Sequence, residues 1–203
     1  MNKLVNLFKL LELTRSQPQY GYALAGIPKA ELSDLAQHHY LVTFMGWQLC
    51  SVANGNEKIV DLEKVLKLCL VHDLGELFGG DLNYYYARKN LPARKIAKTL
   101  EMENAKFISQ YFPDPKELTD LLAEFEESKT NEAVVAQLAD KIECMHFKIY
   151  AKNLLKWEIS DLAKSLKRTI LGMKNKQAKT RLLAFIKNWE KDLPGKSFLE
   201  SLI

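Results

Sequence analysis

The chain has 203 residues, 47% of them apolar and 27% charged, with nine Gly and six Pro and a formal net charge of +4. That is ordinary globular composition, long enough for one sizeable core, and it excludes a disordered, collagen-like or disulfide-framework protein. No run reaches the eighteen or so consecutive apolar residues of a membrane span. Three cysteines, Cys50, Cys69 and Cys144, lie within apolar helical patterns and read as reduced core residues of a cytoplasmic protein.

Helix-type spacing appears almost everywhere and strand-type alternation almost nowhere, so the expected class is all-α, in one helical domain over 1–203. Leu4, Leu7, Phe8, Leu10 and Leu11 mark a first helix ending near Thr14 and Arg15. It reads as structure rather than a leader, because Glu12 and Arg15 interrupt the apolar pattern and no small-residue cleavage site follows. Pro18, Gly21, Gly26 and Pro28 make 16–29 a loop, and its length marks it as a candidate functional one. A second helix starts at Ser33-Asp34, with a cap-type residue, and runs to about Cys50. The third, from Leu62, is apolar enough to be buried on nearly every side and ends at His72-Asp73. Glu76 would share its face if the helix continued, and Gly79-Gly80 lets the chain turn and present Asp81. Further helices are expected from Leu91-Pro92 to about Phe112, Glu117 to Glu127, Asn131 (as cap) to about Leu155, Asp161 to Met173 and Gln177 to Trp189. A brief C-terminal segment closes the chain.

The chemistry concentrates at His72-Asp73. An imidazole and a carboxylate entering the interior together are costly unless strongly partnered, and a divalent cation satisfies both. Asp140 shares a helix face with Ala133, Ala136, Cys144, Phe147 and Ala151, a face small and apolar enough for another helix to pack closely. Two readings stay open there: a carboxylate paired with a backbone amide or an Arg, and a metal ligand brought from a separate helix. His38 and His39 adjoin on the second helix, and periodicity does not choose between them. With four histidines in the chain, the inventory suits one mononuclear site rather than a dinuclear centre. The lysines around Lys174, Lys176, Lys179, Lys187 and Lys191 read as a solvated helix face. No interleaving of aromatic and basic residues asks for nucleic acid, and the mild positive charge suits a small anionic substrate.

A His on one helix, His72-Asp73 at the end of the third, and Asp140 in Leu-Ala-Asp-Lys resemble the H…HD…D signature of the HD-domain metal-dependent phosphohydrolases. Within that superfamily the match is closer to the 5′-deoxynucleotidases of the YfbR-like type, through Glu76, Gly80-Asp81 and Arg15, and the resemblance covers roughly 10–151. The resemblance assigns the metal to His38, His72, Asp73 and Asp140. His38 is chosen because Leu35-Ala36-Gln37-His38 stands where the family has Val-Ala-Glu-His or similar. It implies a divalent ion (Co, Mn, Mg or Fe), Arg15 and Glu76 around the substrate phosphate, and Asp81 handling the proton of the attacking water. The implied reaction releases phosphate from (deoxy)nucleoside 5′-monophosphates, and the implied assembly is a homodimer. Gln37, in place of the usual acid, and Ser16, in place of a Trp near the sugar, depart from the pattern, as does the longer 16–29 loop. Tyr20, Tyr22 and Tyr84 to Tyr86 are candidates to stack on the nucleoside in its stead. The alternatives are an HD phosphohydrolase acting on another monoester or a diester, and a non-catalytic nucleotide-binding HD module.

Overall fold

The structure is a computed structural model and describes residues 2–193. Nine α-helices run in order, with no strand among the described residues. They are α1 (Asn2–Glu12), α2 (Leu35–Asn54), α3 (Leu62–Val71), α4 (Tyr84–Lys89), α5 (Leu91–Ser109), α6 (Pro115–Glu127), α7 (Asn131–Tyr150), α8 (Lys156–Leu171) and α9 (Lys176–Asp192). The expected brief C-terminal segment lies outside the described residues. None of the described helices is long and apolar enough to cross a membrane.

Side-chain caps set most helix starts. The Asp34 carboxylate accepts the Gln37 N–H at 2.8 Å, Asp61 caps α3, and Asn90 accepts the Ala93 N–H at the start of α5 with Pro92 beside it. The cap of α7 is Thr130, whose hydroxyl accepts the Ala133 N–H at 3.1 Å, and Asn131 is already the first helical residue. Several bounds differ from the sequence expectation. Three residues of 3₁₀ helix, Leu13–Arg15, extend the first helix. The expected loop contains a 3₁₀ segment, Tyr20–Ala25, and α7 stops at Tyr150, where Lys152 takes a positive φ. Asn83 accepts the N–H groups of Tyr85 and Tyr86 and so nucleates α4, a helix of six residues too short to show a period.

Two apolar clusters form the interior. The larger joins α2, α3, α7, α8 and α9 through residues such as Val42, Leu68, Ala136, Leu166 and Leu182. The smaller joins α1, the start of α2, the turn after α3, α5 and α6 through Leu7, Leu35, Leu74, Leu77, Ile108 and Leu118. His38 lies between Leu35 of the smaller cluster and Val42 of the larger, and His72-Asp73 between Cys69 and Leu74 in the same way. The polar residues thus stand at the seam of two cores, where helices from each can deliver side chains to one point.

Candidate active site

α3 does not carry the chain through the His-Asp pair. It ends at Val71, His72 is its C-terminal cap, and Asp73 leaves helical geometry before a 3₁₀ turn over Leu74–Glu76. Glu76 therefore reaches the site from this turn, not from a continued α3 face. Asn104 of α5 pins the turn by donating to the carbonyls of Gly75 at 2.8 Å and Gly79 at 3.3 Å. Gly79 and Gly80 take φ of 102° and 127°, a region open to glycine, and the chain turns so that Asp81 lines the same cavity as Asp73.

Four side chains gather there, in two close donor groups that share His38, one with His72 and Asp73 and one with Asp140. His38 Nε2 and His72 Nε2 are 3.1 Å apart. Asp73 Oδ2 lies 3.4 Å from the first and 3.3 Å from the second, and Asp140 Oδ1 lies 3.5 and 3.8 Å away. The other ring nitrogens fix the tautomers. His72 Nδ1 sits 2.9 Å from the Cys69 carbonyl, which can only accept, and His38 Nδ1 sits 2.6 Å from the Glu143 carboxylate. Each Nδ1 therefore donates, so in the neutral form both imidazoles would aim Nε2 lone pairs at the same region as two carboxylate oxygens. Four electron-pair donors this close repel unless a cation or protons lie among them, and a divalent ion fits that donor set. The proton alternative shows in the electrostatics. Burial alone would lower the His72 imidazole, but Asp73 and Asp140 raise it to about 9. Burial likewise works against His38, and Asp140, Asp73 and Glu143 raise it. Asp73 and Asp140 stay below the ordinary carboxylate range, against their own burial, because the two histidines face them.

His39 is also buried but stays outside the cluster: its Nε2 has no hydrogen-bond partner among the described residues, and it belongs to neither group of donor atoms close enough to share an ion. His146 is elsewhere, its Nε2 accepting from Trp189 Nε1 at 3.1 Å. Cys144, half-buried, donates from Sγ to Asp140 Oδ1 at 3.6 Å and is a further potential donor atom beside His38 and Asp140.

A cavity of about 720 Å³ opens from Asp73 and Asp140. Glu76, Asp81, Glu101 and Lys98 line it on one side, and Lys141, Lys148 and residues of α8 on another. Burial raises Glu76 well above the usual carboxylate range, helped by Asp73, Asp81 and Glu101. Burial raises Asp81 as well, while the Gly21 N–H, donating to Asp81 Oδ2 at 2.6 Å, works in the opposite direction. That bond, with Asn83 Nδ2 donating to the Gly21 carbonyl at 2.8 Å, docks the 16–29 loop onto the site. Of the candidate tyrosines, Tyr22, Tyr84 and Tyr85 line the cavity, and Tyr20 and Tyr86 do not.

Arg15 is not brought to the site. Its side chain is 74% exposed, its Nε donates to Glu12 at 2.8 Å, and it is absent from the cavity wall, because the 3₁₀ turn at the end of α1 points it to solvent. Glu143 is not among the residues that the sequence singles out. It stands three positions after Asp140, on the same helix face, and that spacing was its one visible signal. Lys98 and Glu101 were missed too, since α5 carries none of the motif residues.

Comparison with known proteins identifies the family. The family model described as HD domain matches residues 15–190. The 5′-deoxynucleotidase HDDC2 of Dictyostelium discoideum is 28% identical over 145 residues, 70% of this chain and 74% of that protein. The crystal structure of the PH0347 protein from Pyrococcus horikoshii OT3 superposes with a TM-score of 0.69 at 20% identity, covering 91% of this chain and 98% of that one. A conserved hypothetical protein from Pyrococcus furiosus does so with a TM-score of 0.68 at 23% identity, covering 91% and 99%. The chain belongs to the HD-domain family, the metal-dependent phosphohydrolase superfamily that its sequence resembles.

Proposed function

We propose that this protein is a metal-dependent phosphohydrolase that removes the 5′-phosphate from (deoxy)nucleoside monophosphates. The observation that carries the reading is the gathering of His38 Nε2, His72 Nε2, Asp73 and Asp140 behind the wall of a large cavity. The similarity to a 5′-deoxynucleotidase supports the substrate class. His38, His72, Asp73 and Asp140 hold the ion (Co, Mn, Mg or Fe). When bound, it supplies Lewis-acid charge to the phosphoryl oxygens and acidifies water. Asp81, steadied by the Gly21 N–H, takes up the proton of the attacking water, and Glu76 faces the phosphate beside it. Tyr22, packed on Phe147 with ring centroids 4.6 Å apart, and Tyr85, packed on Trp157, give the cavity aromatic surface for the nucleoside. A second copy of the chain docks on an exposed apolar helix face, giving the homodimer.

The test is phosphate release from deoxy and ribo monophosphates with each candidate ion, together with metal analysis. Asp73→Ala is expected to lose both the bound ion and turnover. Full turnover by a metal-free Asp73→Ala protein sinks the assignment.

A further inference from the structure

If Arg15 faces solvent, the phosphate needs another cation, and the cavity wall supplies six: Arg88, Arg94, Lys98, Lys141, Lys148 and Arg168. Three are already neutralised. Lys98 bonds Glu101 at 2.6 Å and lies 3.4 Å from Glu126, Arg88 bonds Asp161 at 3.0 Å, and Lys148 is paired with the buried Glu158. Arg94 and Arg168 have no carboxylate partner among the described residues, but both are exposed on helices that hold no metal-site residue, so water screens them.

Lys141 differs on each count. It is half-buried, it lines the cavity, and no carboxylate lies within ion-pair distance of it among the described residues. Its one polar contact is to Gln137 Oε1 at 3.3 Å, a neutral group one turn back that steadies the long stem without cancelling the charge. It follows Asp140 directly on α7, so its backbone is fixed beside the metal end of the cavity. Adjacent helix positions point about 100° apart, so the Lys141 stem leaves α7 to one side of Asp140 while both residues line the same cavity.

Resting on the proposed phosphohydrolase reading, we infer that Lys141 is the cation that receives the substrate's phosphate group, the role the family resemblance gives to Arg15. A charge-assisted hydrogen bond from this ammonium positions the phosphate against Asp73 and Asp140. It also lowers the repulsion those carboxylates present to an incoming anion.

The experiment compares wild type with Lys141→Met, Lys141→Gln, Lys141→Arg and Arg15→Ala. Three quantities are read: bound metal per chain, orthophosphate binding by titration calorimetry, and the KM and kcat for a nucleoside 5′-monophosphate. Loss of charge at 141 is expected to weaken orthophosphate binding and raise KM by about tenfold or more, with metal content unchanged and partial rescue by Arg. Three results overturn the inference: orthophosphate binding unchanged in both neutral variants, loss of the metal with the charge, or a loss that falls on Arg15→Ala instead. A wild type that binds orthophosphate through Lys141 but hydrolyses no monoester sinks the phosphohydrolase reading and leaves this one standing.

Discussion

His38 meets a different demand at each ring nitrogen. For the proposed cation site Nε2 must keep a lone pair, and that requires the proton to sit on Nδ1, which lies 2.6 Å from the Glu143 carboxylate. Glu143 is only 1% exposed, so its own charge is tolerable chiefly because of this one strong partner. Glu143→Gln keeps the shape and an accepting oxygen but removes the charge that fixes the imidazole. Metal affinity is expected to fall by about 10- to 100-fold, read by competition against a chelator of known affinity. Unchanged affinity would mean the ring is oriented by packing alone. Much of this residue-scale arrangement was legible. The His72-Asp73 pair stood out because a polar doublet ended an apolar run, whereas Asp140 broke a small-residue face in a way that suited a paired carboxylate as well as a metal ligand. The choice of His38 over His39 was not legible in periodicity, since both are buried and each has apolar neighbours on either side. Arg15 misled because a motif position says nothing about which way a short 3₁₀ turn points its side chain.

At the level of elements, the site depends on how closely α2 and α3 approach. Gly46 is where they touch: a Cβ there would stand 2.6 Å from Cys69 Sγ and 3.3 Å from Val65 Cγ1, both on buried residues with nowhere to move. Burial also pushes the Cys69 thiol up to about 12, so this sulfur behaves as a small apolar group. Gly46→Ala is expected to cost about 1–3 kcal/mol by overpacking, measured by urea denaturation. A midpoint equal to wild type would show that the helices part freely. The helices themselves followed from 3.6-residue spacing and their caps. Where expectation failed, a local interaction had outweighed the pattern. α3 is not buried all round, since Leu70 is 51% exposed and α3 packs mainly through Val65, Leu68 and Cys69. α4 arises from the Asn83 cap rather than from any apolar period.

On the scale of the whole molecule, placing the polar cluster between two apolar cores gives it walls on both sides while leaving the cavity open. α8 and α9 have no motif residues, yet Leu166, Ile170, Leu182 and Ile186 complete the larger core, so the last helices brace the helices that hold the site. One feature is left unexplained by that internal packing. Tyr40, Phe44 and Trp47 occupy positions i, i+4 and i+7 of α2, opposite its buried stripe, and all three are exposed. Phe44 and Trp47 meet edge to face with centroids 5.8 Å apart, which makes the patch an ordered aromatic surface rather than scattered apolar residues. A second copy docking there would bury it. The wild-type protein is then expected to elute with twice the 23.3 kDa chain mass in light-scattering chromatography, and Phe44→Glu with the single mass. The substitution puts a charge at an exposed position away from the cation site, so metal content should not change. A monomeric wild type, or a Phe44→Glu variant that remains dimeric, removes this face as the contact.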